Sequence, residues 1–189
     1  MTLTVDALAE RLEAILRQAP LRLQALEIVR SLDLPDWAIG AGFIRAAVWD
    51  ELSGFTTASA VDDIDVLYFD ARDCGTGREA EIESRLREIE PTLPWSVRNQ
   101  ARMHIRNGDE PYISTADALR FWLETPTCVA VRIDADGQFE IMAPYGLDDL
   151  FAMAIRPTPR GRVRNGEYAA RIAKKKWHER WPNVTIELP

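Results

Sequence analysis

The segment "VDDIDVLYFD", residues 61–70, decides the fold and suggests the chemistry. Its apolar residues predict a buried β-strand: Val61, Ile64, Val66, Leu67, Tyr68 and Phe69. Asp63 and Asp65 lie within the same run, and side chains two apart on a strand point to one face. Two carboxylates on one face raise each other's pKa and resist desolvation unless a cation compensates. The segment therefore predicts a strand that carries a cation site.

A glycine turn precedes this strand. The stretch "LPDWAIG", residues 34–40, predicts a short strand that ends in the turn Gly40-Ala41-Gly42, and residues 43–52 predict a helix closed by Gly54. The chain thus passes through a strand, a glycine turn, a helix and the acidic strand. We expect the helix start and the two aspartates to lie close together in one β–α–β unit.

The remaining patterns predict a mixed architecture. Helical periodicity predicts helices at 5–18, 21–32, 78–90, 114–124 and 165–181, and "WSVRNQARMHIR" predicts a strand that runs into a turn or helix. A hairpin is expected around the two-residue turn Asp136-Gly137. The predicted fold class is α/β (α+β), a small mixed β-sheet flanked by helices. One domain is expected over 1–189, with an N-terminal helical segment at 1–33 and a basic C-terminal helical segment at 156–189.

Composition sets limits on the function. The 189 residues are 47% hydrophobic and 28% charged, as in globular domains. Neither a secretory signal nor an apolar run of the roughly 20 residues that span a bilayer occurs, so we expect a cytoplasmic protein without a membrane partner. Cys74 and Cys128 lie far apart, which argues against a disulfide framework or a zinc site.

The charge is unevenly distributed. Nine basic and two acidic residues between Arg156 and Arg180 give that segment a net charge of +7. Because the whole chain has a net charge of −7, the rest of it carries −14. Such a segment is either a solvated helix that balances an acidic body or a face that binds phosphates or nucleic acid. Trp177 and Trp181, four residues apart, are expected to pack against the body rather than to stack on bases.

Two functions compete for the glycine turn. A dinucleotide fingerprint, G-x-G-x-x-G, would use Gly40 and Gly42, but Arg45 occupies the third glycine position. In nucleotidyl transfer, by contrast, the turn and the helix start bind nucleotide phosphates through backbone N–H groups. Asp63 and Asp65 then hold Mg²⁺ or Mn²⁺, since hard cations prefer carboxylate oxygens. This second interpretation explains both aspartates, and it gives them the catalytic role.

The glycine turn, helix and D-x-D strand resemble the DNA polymerase β-like nucleotidyltransferase superfamily. More closely, "GAGFIRAAVWD", "DDIDVLYFD", "WSVRNQARMH", "ETPTCVAVRI", "APYGLDDLF" and "RIAKKKWHERWP" resemble a bacterial nucleotidyltransferase-like family of uncharacterised function, over roughly residues 20–182. The resemblance implies a nucleotidyltransferase fold similar to the head domain of CCA-adding enzymes. It also implies that Gly40, Gly42, Asp63 and Asp65 hold a nucleoside triphosphate, with an RNA or another hydroxyl compound as acceptor.

The chain departs from this superfamily in two places, and its turn is Gly-Ala-Gly rather than Gly-Gly or Gly-Ser. Active members usually place a third carboxylate on a later strand, and the strand expected there, "PWSVRN", contains none. Ser96, Arg98 or Asn99 would have to take its place, with Asn99 as an oxygen ligand, or Glu140 would have to reach the site from the hairpin. Arg45 is expected to add positive charge for the nucleotide. A catalytically silent nucleotide- or RNA-binding module therefore stays an alternative to the enzyme.

Overall fold

The computed structural model describes residues 5–188, and helices make up much of this part of the chain. The helices are α1 (Val5–Arg17), α2 (Pro20–Arg30), α3 (Gly42–Leu52), α4 (Thr76–Ile89), α5 (Gln100–Asn107), α6 (Thr115–Leu119), α7 (Asp148–Phe151), α8 (Pro159–Val163), α9 (Asn165–Lys175) and α10 (Trp177–Arg180). The strands are β1 (Ala38–Gly40), β2 (Ile64–Tyr68), β3 (Trp95–Asn99), β4 (Ala130–Ile133), β5 (Phe139–Met142), β6 (Ala154–Ile155) and β7 (Thr185–Ile186). None of the described helices is long and apolar enough to cross a bilayer.

Five strands form one mixed sheet in the order β3-β2-β1-β4-β5. β2 and β3 run parallel and are joined through α4, whereas β1 pairs antiparallel with both β2 and β4. The predicted small mixed sheet flanked by helices is confirmed. The β–α–β order around the glycine turn also holds, but β1 and β2 are antiparallel, so this unit is not the parallel crossover of dinucleotide-binding folds.

Strand β2 has two different faces. Ile64, Val66 and Tyr68 are buried in the main core, together with helices α1, α2 and α3. The alternate residue Leu67 packs in a smaller cluster with Leu119 of α6, on the other face of the sheet. Because side chains alternate along a strand, Asp65 lies on this second face. Asp65 therefore faces away from the main core.

Several predicted elements end earlier than the pattern indicated. The helix predicted at 114–124 ends at Leu119, and the hydroxyl of Ser114 caps its start by accepting a hydrogen bond from the N–H of Asp117. The hairpin turn is longer than two residues, since the N–H of Asp134 donates to the carbonyl of Gln138. The longer turn is held by the Asp134 carboxylate, which accepts from the N–H groups of Asp136 and Gln138.

The C-terminal helix is interrupted. Lys176 has a left-handed backbone, with φ of 47°, so the helix predicted at 165–181 divides into α9 and α10. The bend brings Trp177 and Trp181 edge-on to Trp49, with ring centroids 6.4 and 5.2 Å away. Both residues are buried, which confirms that they pack against the body. This packing fixes α9 beside the sheet.

Candidate active site

A cleft of about 440 Å³ lies on the second face of the sheet, beside the glycine turn. Asp63 and Asp65 both line it, as the strand alternation predicted, and so do Ala41 and Gly42. In the sheet, Gly40 pairs with Asp65 across β1 and β2. This register places the turn and the helix start next to the two carboxylates.

The two aspartates differ in their surroundings. Asp63 is exposed just before β2, whereas Asp65 is half-buried within it. Burial raises the pKa of Asp65 to about 6, and the charge of Asp63 adds to this shift. The nearby charges of Arg171, Lys175 and Arg98 act in the opposite direction. Asp65 thus occupies a site where its charge is only partly compensated by the protein itself.

The three turn residues have different structural roles. Gly40 is buried, and a side chain there would lie 3.2 Å from Cβ of Ala130, so this glycine permits close packing of β1 on β4. Ala41 has φ of 56° and ψ of −127°, a conformation that strongly favours glycine. Gly42 begins α3 and lines the cleft, and the nearest side-chain atom to a Cβ added there belongs to Arg45, at 3.7 Å. Gly42 is therefore the turn glycine that exposes backbone to a ligand.

Arg45 is a buried cation that lines the cleft, with 6% of its surface exposed. Its guanidinium lies 5.2 Å from the ring of Trp49 and 4.7 Å from that of Trp177, and its Nε has no hydrogen-bond partner among the described residues. Burial lowers the pKa of Arg45 to about 10, while the charge of Glu124 opposes the shift. An unpaired buried guanidinium beside a helix N-terminus favours an anionic ligand.

A third carboxylate was expected on β3, but this strand contains no acidic residue. Ser96 pairs with Asp65 in the parallel register, and Ser96 and Arg98 both line the cleft. Asn99 does not line it. Its Oδ1 accepts from the N–H groups of Asp70 and Ala101, and its Nδ2 donates to two carbonyls. Asn99 caps α5 and ties the β2–α4 loop, so the expected oxygen donation to a metal is not supported.

Glu140 lies far from the aspartates in the sheet. It belongs to β5, the edge strand opposite β3, and its carboxylate pairs with Arg132 at 2.6 Å. It does not line the cleft, so the expectation that it could reach the site is wrong. Within residues 5–188 no group of three or more His, Cys, Asp or Glu side chains could hold a metal.

Sequence reasoning missed Glu124, a fully buried carboxylate in the cleft wall. Its Oε1 lies 2.7 Å from Nε of Arg171, and its Oε2 accepts a hydrogen bond of 2.9 Å from Thr127. Glu124 precedes a 3₁₀ turn at Thr125–Thr127, where no strand or helix period marks it. Its only sequence signal was its place in "ETPTCVAVRI", a segment quoted above for its family resemblance.

The basic C-terminal segment forms one wall of the cleft. Glu167, Arg171 and Lys175 recur every four residues on α9, so they share one face of the helix, and all three line the cleft. Arg160 and Arg164 extend this wall. The segment therefore lies beside Asp63 and Asp65 and is not simply a solvated helix.

The donors present suit a hard divalent cation. Asp65 in β2 and Asp63 just before it both line the cleft, and burial together with the charge of Asp63 raises the pKa of Asp65, which is the electrostatic situation that a cation relieves. Magnesium and manganese both bind such oxygen donors. Asp63 and Asp65 are the residues that would hold the ion.

A nucleotidyltransferase family model matches residues 27–186. The chain belongs to the nucleotidyltransferase family. The fold is also similar to a solved structure, an NMR structure described as revealing a CCA-adding enzyme head domain. The two proteins share 33% sequence identity and superpose with a TM-score of 0.83. The match covers 94% of this chain and 96% of that one. The predicted family and fold are confirmed.

More distant similarity connects this nucleotidyltransferase to larger proteins. A tRNA-processing enzyme in an apo form matches with 17% identity and a TM-score of 0.54, covering 86% of this chain and 44% of that one. A tRNA-processing enzyme solved with CTP matches with 18% identity and a TM-score of 0.51, covering 86% and 43%. This chain thus spans less than half of those enzymes, and the likeness shows the fold alone. A comparison with curated proteins finds no match.

Proposed function

We propose that this protein is a Mg²⁺- or Mn²⁺-dependent nucleotidyltransferase that moves a nucleoside monophosphate from a nucleoside triphosphate to a hydroxyl acceptor. The observation that carries the proposal is the register of β1 and β2. It puts Gly42 and the start of α3 beside Asp63 and Asp65 in one cleft. A phosphate-binding helix start next to paired carboxylates suits metal-assisted phosphoryl chemistry.

Each residue has a defined part in the proposed reaction. Backbone N–H groups at Gly42 and the positive charge of Arg45 bind the phosphates, while Asp63 and Asp65 hold the cation. When bound, the cation would neutralise negative charge on the phosphates. The acceptor oxygen forms a bond to the α-phosphorus and loses its proton to water. The bond from that phosphorus to pyrophosphate breaks. Triphosphates and Mg²⁺ suit the cytoplasmic location expected from the sequence.

Titration with each ribonucleoside triphosphate tests this proposal through thermal stability. A ligand at a hundred times its dissociation constant adds about 2.7 kcal/mol to the free energy of unfolding. We expect a Mg²⁺-dependent rise of the melting midpoint in the wild type and none in Asp63→Asn. Asp62→Asn is the matched control, because Asp62 is an exposed neighbour outside the cleft. No rise with any triphosphate would overturn the proposal.

A second candidate function rests on Ser96. This residue occupies the place beside Asp65 where a third carboxylate was expected, which favours a silent module that binds nucleotide or RNA without turnover. The two functions share the cleft and differ in product. Pyrophosphate released from triphosphate in the presence of an RNA, protein or small-molecule hydroxyl identifies the enzyme. Tight metal-dependent binding without pyrophosphate, across all three classes of acceptor, identifies the silent module.

A further inference from the structure

Arg171 and Glu124 both line the cleft and form an ion pair there. Nε of Arg171 lies 2.7 Å from Oε1 of Glu124, whose side chain is only 1% exposed. The hydroxyl of Thr127 lies 2.9 Å from the other carboxylate oxygen and 2.7 Å from the backbone carbonyl of Glu124, and these two acceptors share its proton. Oε1 makes no hydrogen bond among the described residues, so the contact with Arg171 is an ion pair held by charge, while Thr127 restrains the carboxylate from the other side. The buried carboxylate thereby attracts the Arg171 guanidinium to one side of the cleft.

The rest of the Arg171 guanidinium is available to a ligand. Arg171 lines the cleft, and its side chain is 38% exposed. Among the residues that the structure describes, its two Nη atoms make no hydrogen bond. A guanidinium with two free amino groups presents a planar fork that matches phosphate oxygens.

Two other arginines of the wall are already engaged, whereas Lys175 has only a 3.8 Å contact with exposed Asp62. Arg160 pairs with Asp109 and donates to the carbonyl of Asn107 at 3.1 Å. Arg164 donates to the same carbonyl and pairs with Glu167 at 3.1 Å. Arg171 is also the cation that acts most strongly on Asp65, and its charge is felt by Arg45. Arg171 is therefore near enough to both Asp65 and Arg45 to act on their charges.

We propose that Arg171 binds the polyphosphate of the nucleotide and that Glu124 is a positioning residue that holds the Arg171 guanidinium in the cleft. This inference rests on the proposed function and assigns one residue of its substrate site. The phosphates then lie between the start of α3 on one side and α9 on the other.

The first test compares ligands that differ in phosphate number. Binding of nucleoside triphosphate, nucleoside monophosphate, nucleoside and inorganic tripolyphosphate is measured by calorimetry with Mg²⁺. In Arg171→Ala we expect about ten- to hundredfold weaker binding of both polyphosphates, the scale of one charge-assisted hydrogen bond. Nucleoside affinity should stay unchanged. Arg171→Lys keeps the charge without the fork and should be intermediate.

Arg162→Ala is the matched control. Arg162 belongs to the same basic segment, pairs with exposed Glu187 at 2.7 Å and does not line the cleft. Its variant should bind every ligand as the wild type does. An equal loss for nucleoside and triphosphate in Arg171→Ala, or no loss at all, would overturn the proposal.

The second test separates positioning from simple electrostatics. Glu124→Gln removes a negative charge from the cleft, so a field effect alone would tighten polyphosphate binding. Positioning predicts the opposite: weaker binding in Glu124→Gln, and no further weakening when the same change is added to Arg171→Ala. Tighter binding, or an additive loss in the double variant, would reject the role of Glu124. Thermal midpoints without ligand identify any variant that fails to fold, and Thr127→Val then repeats the test on the neighbouring support.

Tripolyphosphate binding distinguishes failure of the Arg171 assignment from failure of the proposed function. If the wild type binds tripolyphosphate through Arg171 but no nucleotide preferentially, the anion site stands and the nucleotidyltransferase proposal fails. If nucleotides bind with Mg²⁺ and depend on Asp63 but not on Arg171, the proposed function stands and the Arg171 assignment fails. Binding of neither ligand overturns both.

Discussion

Asp65 and Ser96 lie opposite each other on the parallel strands β2 and β3, and both line the cleft. Paired residues of neighbouring strands point to the same face, so a longer acidic side chain at position 96 would approach Asp65 directly. The sheet therefore already has the geometry for three carboxylates and carries two. Serine at this position leaves the cleft with less negative charge than three carboxylates would give.

Ser96→Asp should make the site bind divalent cations more tightly. A third oxygen ligand adds to the coordination of Mg²⁺, and we expect about tenfold stronger binding, equivalent to about 1.4 kcal/mol. Without metal, the same change should lower the free energy of unfolding, because like charges repel. Calorimetric titration with Mg²⁺ measures the first effect. Ser96→Asn is the neutral control, and equal affinity in the two variants would contradict the prediction.

Asp65→Asn should stabilise the metal-free protein above neutral pH. Burial, together with the charge of Asp63, raises the folded-state pKa of Asp65 to about 6 from 3.8, so the folded state binds this proton more tightly than the unfolded chain does. The stability that this proton provides is present at acidic pH and is lost as the pH rises through about 6. At pH 8 we expect a gain of about 1–2 kcal/mol for the variant, discounted for partial solvent exposure.

Urea unfolding at several pH values, with a chelator present, measures this gain. The difference between variant and wild type should shrink as the pH falls from about 6 towards the ordinary pKa of 3.8, and it should be nearly absent below that pH. With Mg²⁺ at pH 8 the order reverses, since only the wild type gains stability from the ion. A variant less stable than the wild type at pH 8 without metal would contradict the assigned cause of the pKa shift.

Gly40→Ala should lower stability, whereas Gly42→Ala should weaken ligand binding. At position 40 the new methyl group meets Ala130, Leu67 and the carbonyl of Val129 within 3.3 Å, so we expect a loss of about 1–3 kcal/mol in stability. At position 42 the nearest atom is 3.7 Å away, so the fold tolerates the change while the methyl group enters the cleft. Gly42→Ala should therefore weaken triphosphate binding without lowering the melting midpoint. Equal midpoints for the two variants would contradict the close packing at Gly40.

Ala41→Gly should raise stability. The backbone at this position, with φ of 56° and ψ of −127°, costs about 1–3 kcal/mol for a residue with a Cβ. Glycine relieves this strain but gives up about 0.4–1 kcal/mol through the entropy of the unfolded chain. We expect a net gain of about 1 kcal/mol, measured by urea unfolding. A loss of stability would show that the methyl group of Ala41 contributes more by packing than its backbone costs.

Asp50→Asn should lower stability by about 1–3 kcal/mol, the scale of hydrogen bonds to a charged group. The buried carboxylate accepts from the N–H and hydroxyl of Ser59 and from the indole N–H of Trp181, at 2.6 to 2.9 Å. The hydrogen bond from Trp181 to Asp50 anchors the chain after α10 to the end of α3. Exposed Glu51→Gln, one residue away, is the control, and equal midpoints for the two variants would contradict the anchoring role.

Local pattern accounts for much of the fold. The helices near 5–18, 21–32, 43–52 and 78–90 are confirmed to within a few residues, because apolar periodicity reports which side of a helix is buried. The acidic strand is confirmed for a similar reason, since two-residue alternation fixes which side chains share a face. By contrast, the break at Lys176 depends on Trp177 and Trp181 packing against Trp49, a contact more than a hundred residues distant in sequence.

The site divides in the same way. Sequence spacing alone determined that Asp63 and Asp65 share a face and that a glycine turn precedes them, because strand geometry is a local property. Only the tertiary structure decided which residues surround them. Asn99 is removed from the cleft by its bonds to backbone groups, and Glu124 and Arg171, 47 positions apart, are brought to within 2.7 Å. Strand order and helix docking set such distances through packing of the whole chain, which no local period records.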